Sequence, residues 1–258
     1  MRSWAVGSLV AVLAAVATGQ EQLAGPGQFP QFRTLSGLPG GGMPIGRNGE
    51  PGGVGAWAFS TPVAYGLAPW RVVGAVSIVS RNRNIPFDFS RNGEANGANG
   101  TIALLVGVPA GRYGQLTFGN MVLSTLWDTS QNLQWTLPTG GDSAVAIGVQ
   151  DISGQGGTQG QDQTGFDPGE SRTYYAVATR QFGERTFASL GFGDTRFKGR
   201  LFGSVSHWEG PWGAHIEWDT FNTNVGVGYQ FQVAGRPSLV SIGLVKGELA
   251  YWSVGFSF

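Results

Sequence analysis

From residue 71 to its end the chain alternates. In the segment 224–233, Val225, Val227, Tyr229, Phe231 and Val233 fall on one side, with Gly226, Gly228, Gln230 and Gln232 on the other. In 142–151, Val145, Ile147 and Val149 oppose Ala144, Ala146, Gly148 and Gln150. A period of two is the mark of a β-strand, whereas apolar spacings of three and four, which would indicate helix, are missing. Twelve such segments can be laid out, most of 8 to 11 residues. A tilted strand needs about 9–11 residues to cross a bilayer. The last, "ELAYWSVGFSF", keeps Trp252, Val254, Phe256 and Phe258 on one face to the final residue.

The connections sort by length. The turns "PAGRYG", "TGG", "GE", "EGP" and "AGR" are short, and they alternate with linkers that include two long polar ones, 81–99 and 152–171. Counting hairpins back from a periplasmic C-terminus puts every short turn in the periplasm and both long loops outside. That asymmetry belongs to outer-membrane barrels, which close on an even number of strands. The expected fold is therefore all-β: a transmembrane, antiparallel, up-and-down β-barrel of about 12 strands, in the cell outer membrane. A secreted β-sandwich or lipocalin-like barrel alternates too. Its outer face would carry Lys and Glu, however, and the small face here is mostly Gly, Ala and Ser. Segment 56–64 is left as a pre-barrel or lumen-facing piece, since a thirteenth strand would make the count odd.

Arg2 followed by the apolar stretch Trp4 to Val16 is too short to span a membrane and reads as a signal peptide over 1–19. Residues 20–55, rich in Gly, Pro and Gln, have too little apolar content for a core and suggest a flexible periplasmic leader. The barrel would occupy 56–258. Net charge is zero, which gives no pull toward nucleic acid. The absence of cysteine excludes disulfides and thiolate metal sites. Lipid of the outer membrane is the expected surrounding.

The strings "AVAIGVQDISGQGG", "YYAVATRQFGERTFASLGFGDTRFKGRLFGSVSHW" and "WGAHIEWDTFNTNVGVGYQF" resemble the YjbH-like family of outer-membrane proteins, from about residue 130 to the end. The resemblance implies a role in export or assembly of extracellular polysaccharide. It also implies dependence on periplasmic export partners, because a chain of 258 residues has room for one barrel only. The terminal strand ending in Phe258 resembles the signature that barrel-assembly machinery recognises. A small diffusion porin or specific channel is the alternative function, and an enzyme acting on lipid or glycan is a third.

For enzyme chemistry the chain offers little. His207 and His215 flank the turn "WEGPWG", and with Glu209, Glu217 or Asp219 they could face a metal. A solvated rim is the simpler reading, so neither a cofactor nor a metal is expected. No G-x-S-x-G string suggests a serine nucleophile. Charges facing lipid are costly, so the lumen is expected to hold Gln150, Asp151, Arg180, His215, Glu217 and Asp219, with Tyr174 as a stacking ring. Trp208, Trp212, Trp218, Trp252 and Phe258 are expected at the membrane interfaces.

Overall fold

The computed structural model describes residues 35–79, 100–123, 128–138, 140–153, 172–197, 199–220, 222–245, 247 and 249–258. Residues 1–19, read as a signal peptide, residues 20–34 and most of the two long loops lie outside them.

Twelve strands close into one antiparallel barrel in which each strand pairs with its neighbours in sequence. They are β1 (Val72–Val79), β2 (Gly100–Pro109), β3 (Gln115–Leu123), β4 (Asp128–Thr136), β5 (Ser143–Gln150) and β6 (Thr173–Phe182). There follow β7 (Thr186–Gly193), β8 (Arg200–Glu209), β9 (Trp212–Trp218), β10 (Thr223–Val233), β11 (Arg236–Val245) and β12 (Leu249–Ser257). Closure is made by β1 against β12, from Val73↔Ser257 to Val79↔Tyr251. That pairing explains the unfrayed C-terminus: even Phe258 donates its N–H to the carbonyl of Val72 at 2.9 Å. No sheet edge is left open, as a wall in hydrocarbon demands.

The two faces of the wall differ as alternation requires. Outward stand Ile102, Leu104, Ile147, Leu190, Val227 and Ile242, all solvent-exposed apolar side chains. In water such a continuous belt would be costly, whereas in lipid it is at home. Aromatic side chains mark both rims of the belt. Trp70, Trp135, Trp212 and Phe258 are outward or exposed at the short-turn end, and Tyr174, Phe192 and Trp218 at the long-loop end.

The inside of the barrel is not empty. Residues 35–69 enter it as a folded plug. Leu35 packs with Val79, Val245 and Leu249 at the long-loop end. The chain then descends to a turn at Gly46–Glu50 (Gly46 N–H to Glu50 O, 2.9 Å) near the short-turn end. It climbs again to Ser60 and Thr61, and returns to β1 through Trp70. Leu38, Met43, Ile45, Trp57, Val63, Tyr65 and Leu67 form one buried cluster with wall residues Val73, Leu105, Val177, Phe187 and Trp208. The plug makes only isolated bridges of its own, Gly41↔Ala58, Ile45↔Pro51 and Ile45↔Ala56.

This arrangement revises the reading of 20–55 as a flexible leader and of 56 as the start of the barrel. The described part of that stretch, 35–55, is buried together with 56–69, and the wall begins at β1. The stretch has too few apolar residues to build a core alone, but the barrel wall supplies the other half of one. The abundant glycine also has a use here. Gly107, Gly119 and Gly255 face inward, and a Cβ at any of them would run into a plug carbonyl, those of Ala68, Gly37 and Gly42 respectively. The wall is bare where the plug backbone touches it.

Candidate functional site

The polar side chains of the lumen converge on the plug. On β9 the alternation turns His215 and Glu217 inward, with Asp219 just beyond the strand end. The Glu217 carboxylate, 1% exposed, lies against the bend Phe59–Thr61. It accepts the backbone N–H groups of Phe59 (3.1 Å), Ser60 (2.9 Å) and Thr61 (3.0 Å). It also accepts the hydroxyls of Ser60 (2.8 Å) and Thr61 (2.9 Å), and the amide of Asn224 (2.8 Å) from β10. A buried carboxylate is tolerated only when its lone pairs are used, and six donors use them here.

A second layer braces this latch. Arg196 folds in from the loop between β7 and β8, giving Nη2 to the carbonyl of Ser60 (2.9 Å) and Nη1 to Gln150 Oε1 (3.0 Å). Burial pulls its guanidinium down to about 10, with Asp219 and Glu217 acting in the opposite sense, so it stays charged at neutral pH. Gln150 in turn donates to the carbonyl of Ser36 (2.7 Å). Asp151, in the left-handed region at φ 53°, donates its backbone N–H to Asn132 Oδ1 (2.9 Å), and Asn132 donates to the carbonyl of Gly37 (3.0 Å). Lower down, Thr136, Thr179 and Thr117 hold Ala64 O, Ala64 N and Leu67 N at 2.7–2.9 Å.

Aromatic rings complete the seat. Trp57 lies 5.4 Å from Trp208 and 4.4 Å from His215, centroid to centroid. Phe59 stacks on Tyr251 at 4.1 Å. At the short-turn mouth two exposed ion pairs join the plug to its surroundings, Arg47–Asp142 and Arg71–Glu50, each at 2.7 Å. A cleft of about 580 Å³ opens there, lined by Arg47, Asn48, Val54, Asp142, Gln181 and Glu184.

Of the residues expected in the lumen, Gln150, Asp151, His215, Glu217 and Asp219 are buried inside it. Tyr174 and Arg180 are not. The inward parity of β6 belongs to Thr173, Tyr175, Val177 and Thr179, so Tyr174, 55% exposed, and Arg180 point outward. Arg180 escapes the cost of facing lipid by sitting at the short-turn rim, its guanidinium over the ring of Phe182 at 5.4 Å. Trp208 corrects the opposite expectation. It shares parity with Phe202, Ser204 and Ser206, is fully buried in the lumen, and gives its indole N–H to Gly55 O at 2.8 Å. Trp212 and Trp218 are exposed on the outer face, Trp252 is half-buried on that face, and Phe258 is exposed.

His207 and His215 face opposite sides of the wall. His207 pairs with Thr186 and His215 with Tyr251, both at 2.8 Å, so the two rings cannot share a metal. Among the described residues no group of three or more His, Cys, Asp or Glu could hold one. Sequence reasoning missed Arg196, Asn224, Asn132 and most of the plug, of which it sets apart only 56–64 as a pre-barrel or lumen-facing piece. Arg196 had one available signal, a cation in the short glycine-flanked segment "GDTRFKG", where a buried carboxylate nearby would need one.

Comparison with known proteins adds likeness without kinship. No family model matches the chain, and no curated protein does. Among solved structures, a mutant of the Rh. blastica porin aligns at 14% identity over 62% of this chain and 55% of that one, with a TM-score of 0.36. This chain thus spans about half the length of that porin. The KdgM porin aligns at 10% identity over 73% of this chain and 98% of its own, TM-score 0.45. KdgM porin in complex with disordered oligogalacturonate covers the same shares at 0.43. The barrel assignment here rests on its own strand register.

Proposed function

We propose that the protein is an outer-membrane channel held shut by its own N-terminal plug. The carrying observation is the filled lumen: residues 35–69 occupy the space through which a solute would pass, and they are latched by Glu217. An open diffusion porin does not fit that filling. Several features suit a removable gate. Among the described residues the plug has almost no ladder bonding, is joined to the wall by side chains rather than strands, and runs into it through a segment at Trp70 beside the short-turn mouth.

Export of extracellular polysaccharide, implied by the YjbH-like resemblance, is the second reading. Gln150, Arg196, Glu217, Asp219 and Asn224 all lie within the strings that carry that resemblance, and all meet at the plug latch. Under this reading a glycan passes when the plug moves, and periplasmic partners supply the chain. Either way the strand ending in Phe258 is the segment offered to the assembly machinery.

Conductance in planar bilayers tests the channel reading. The intact protein is expected to be silent. Full-length chain carrying Ser60→Pro and Thr61→Pro loses both backbone donors and both hydroxyls to Glu217, and should conduct. Steady current through the intact protein, or silence of the folded variant, would overturn the proposal. Loss of extracellular matrix on deletion, with small-solute uptake unchanged, would favour the export reading over general uptake.

A further inference from the structure

We propose that the conduit behind the plug is cation-selective, with Glu217 and Asp219 as the residues that set the selectivity; this rests on the plugged-channel reading above. With the plug withdrawn, most of the polar wall is uncharged: Thr101, Thr117, Ser130, Asn132, Thr179 and Ser241 are hydroxyls and an amide. Formal charge enters the described lumen at one level. There Glu217 and Asp219 stand within reach of the same Asn224 amide, at 2.8 and 3.4 Å, with Arg196 as the only cation and Asp151 as a further carboxylate toward the long-loop mouth. Carboxylates outnumber the guanidinium, and a narrow lumen within a low-dielectric wall amplifies that surplus.

The plug itself shows what this level demands. Every one of its groups on Glu217 is a hydrogen-bond donor, and it brings no positive charge there. Once those donors leave, the Asn224 amide alone of the six stays on the carboxylate, and its remaining lone pairs turn to water or to a mobile cation. Beside it the buried His215 has an Nδ1 with no hydrogen-bond partner, a polar atom that the plug does not satisfy. The faces of Tyr251 and Trp208, now covered by Phe59 and Trp57, would also be uncovered, and aromatic faces favour cations over anions. Anions meet no comparable site among the described residues, because Arg196, although it loses Ser60 O with the plug, still donates to Gln150 on the wall and lies beside Asp219 and Glu217.

The test is the reversal potential of the full-length Ser60→Pro/Thr61→Pro protein in planar bilayers under a potassium chloride gradient. The expected result is a potential displaced toward that of potassium, with K⁺ several-fold more permeant than Cl⁻. Adding Glu217→Gln and Asp219→Asn should bring the ratio down to near one. Should the proline variant fail to fold, as judged by heat-modifiable gel mobility, Gly119→Val/Gly255→Val unseats the plug by sterics and takes its place. A conducting barrel with no preference, with preference for chloride, or with preference that survives loss of both carboxylates overturns the selectivity while leaving the channel intact. A folded variant that stays silent overturns the channel reading and this inference with it.

Discussion

Glu217 carries more of the plug's attachment than any other side chain in the lumen. Replacing it by Ala strands the N–H groups of Phe59, Ser60 and Thr61 in a buried setting, at a cost of about 1–3 kcal/mol for each orphaned donor. Hydrogen exchange at the Ser60 and Thr61 amides should then speed up more than tenfold while the β-strand amides keep their protection. Unchanged protection at those two amides would show that the latch lies elsewhere. Gly119 offers a steric counterpart. A valine there meets the carbonyl of Gly37, so Gly119→Val should loosen the plug without removing any hydrogen-bonding side chain, read by the same exchange experiment. At this scale the sequence was partly legible. The parity of β9 follows from Ile216 and Trp218 lying opposite His215 and Glu217, since only one of those sets can face lipid. Trp208 and Tyr174 were harder. An aromatic ring suits either a membrane rim or a plugged lumen, and nothing in the local string says that the lumen is full.

Strands were legible because each carries its own phase. Segment 71–80 anticipates β1 (Val72–Val79), and 100–109 matches β2 (Gly100–Pro109). Strand ends drift by a few residues where turn chemistry decides, as in 212–221, where β9 stops at Trp218 before the tight turn closed by Asn222 N–H to Asp219 Oδ1 at 2.7 Å. The outward face makes an energetic claim that can be measured. Val227 sits midway along β10 on the exposed side, so Val227→Arg should lower stability in liposomes by about 2–4 kcal/mol in a denaturant titration. An effect near zero would mean that this face does not meet hydrocarbon. The ion pair Arg47–Asp142 provides a contrast. Both side chains are more than half exposed, so Arg47→Ala should change plug seating by less than about 1 kcal/mol, measured by exchange at the Ala64 amide. A larger effect would place the latch at the mouth rather than at Glu217.

The whole molecule is a wall and a filling encoded by different rules. The wall announces itself through alternation. The filling does not, because residues 35–55 have neither strand nor helix periodicity, 56–64 offers only one short strand-like run, and the stretch gains much of its burial from surfaces that the wall provides. A stretch that reads as unstructured in isolation can therefore be among the most buried parts of the protein. The central claim is that this stretch occupies the lumen of the folded, membrane-embedded barrel. The chain has no cysteine, so a single engineered pair reports without background. The backbone N–H of Ala64 in the plug donates to the Thr179 hydroxyl on the wall at 2.7 Å, and Ala64→Cys/Thr179→Cys puts one thiol on each of these two touching residues. Oxidation in the membrane should give near-complete intramolecular crosslinking, seen as a mass shift of the peptide pair after digestion. A heat-modifiable, folded barrel that forms no such crosslink would contradict the account.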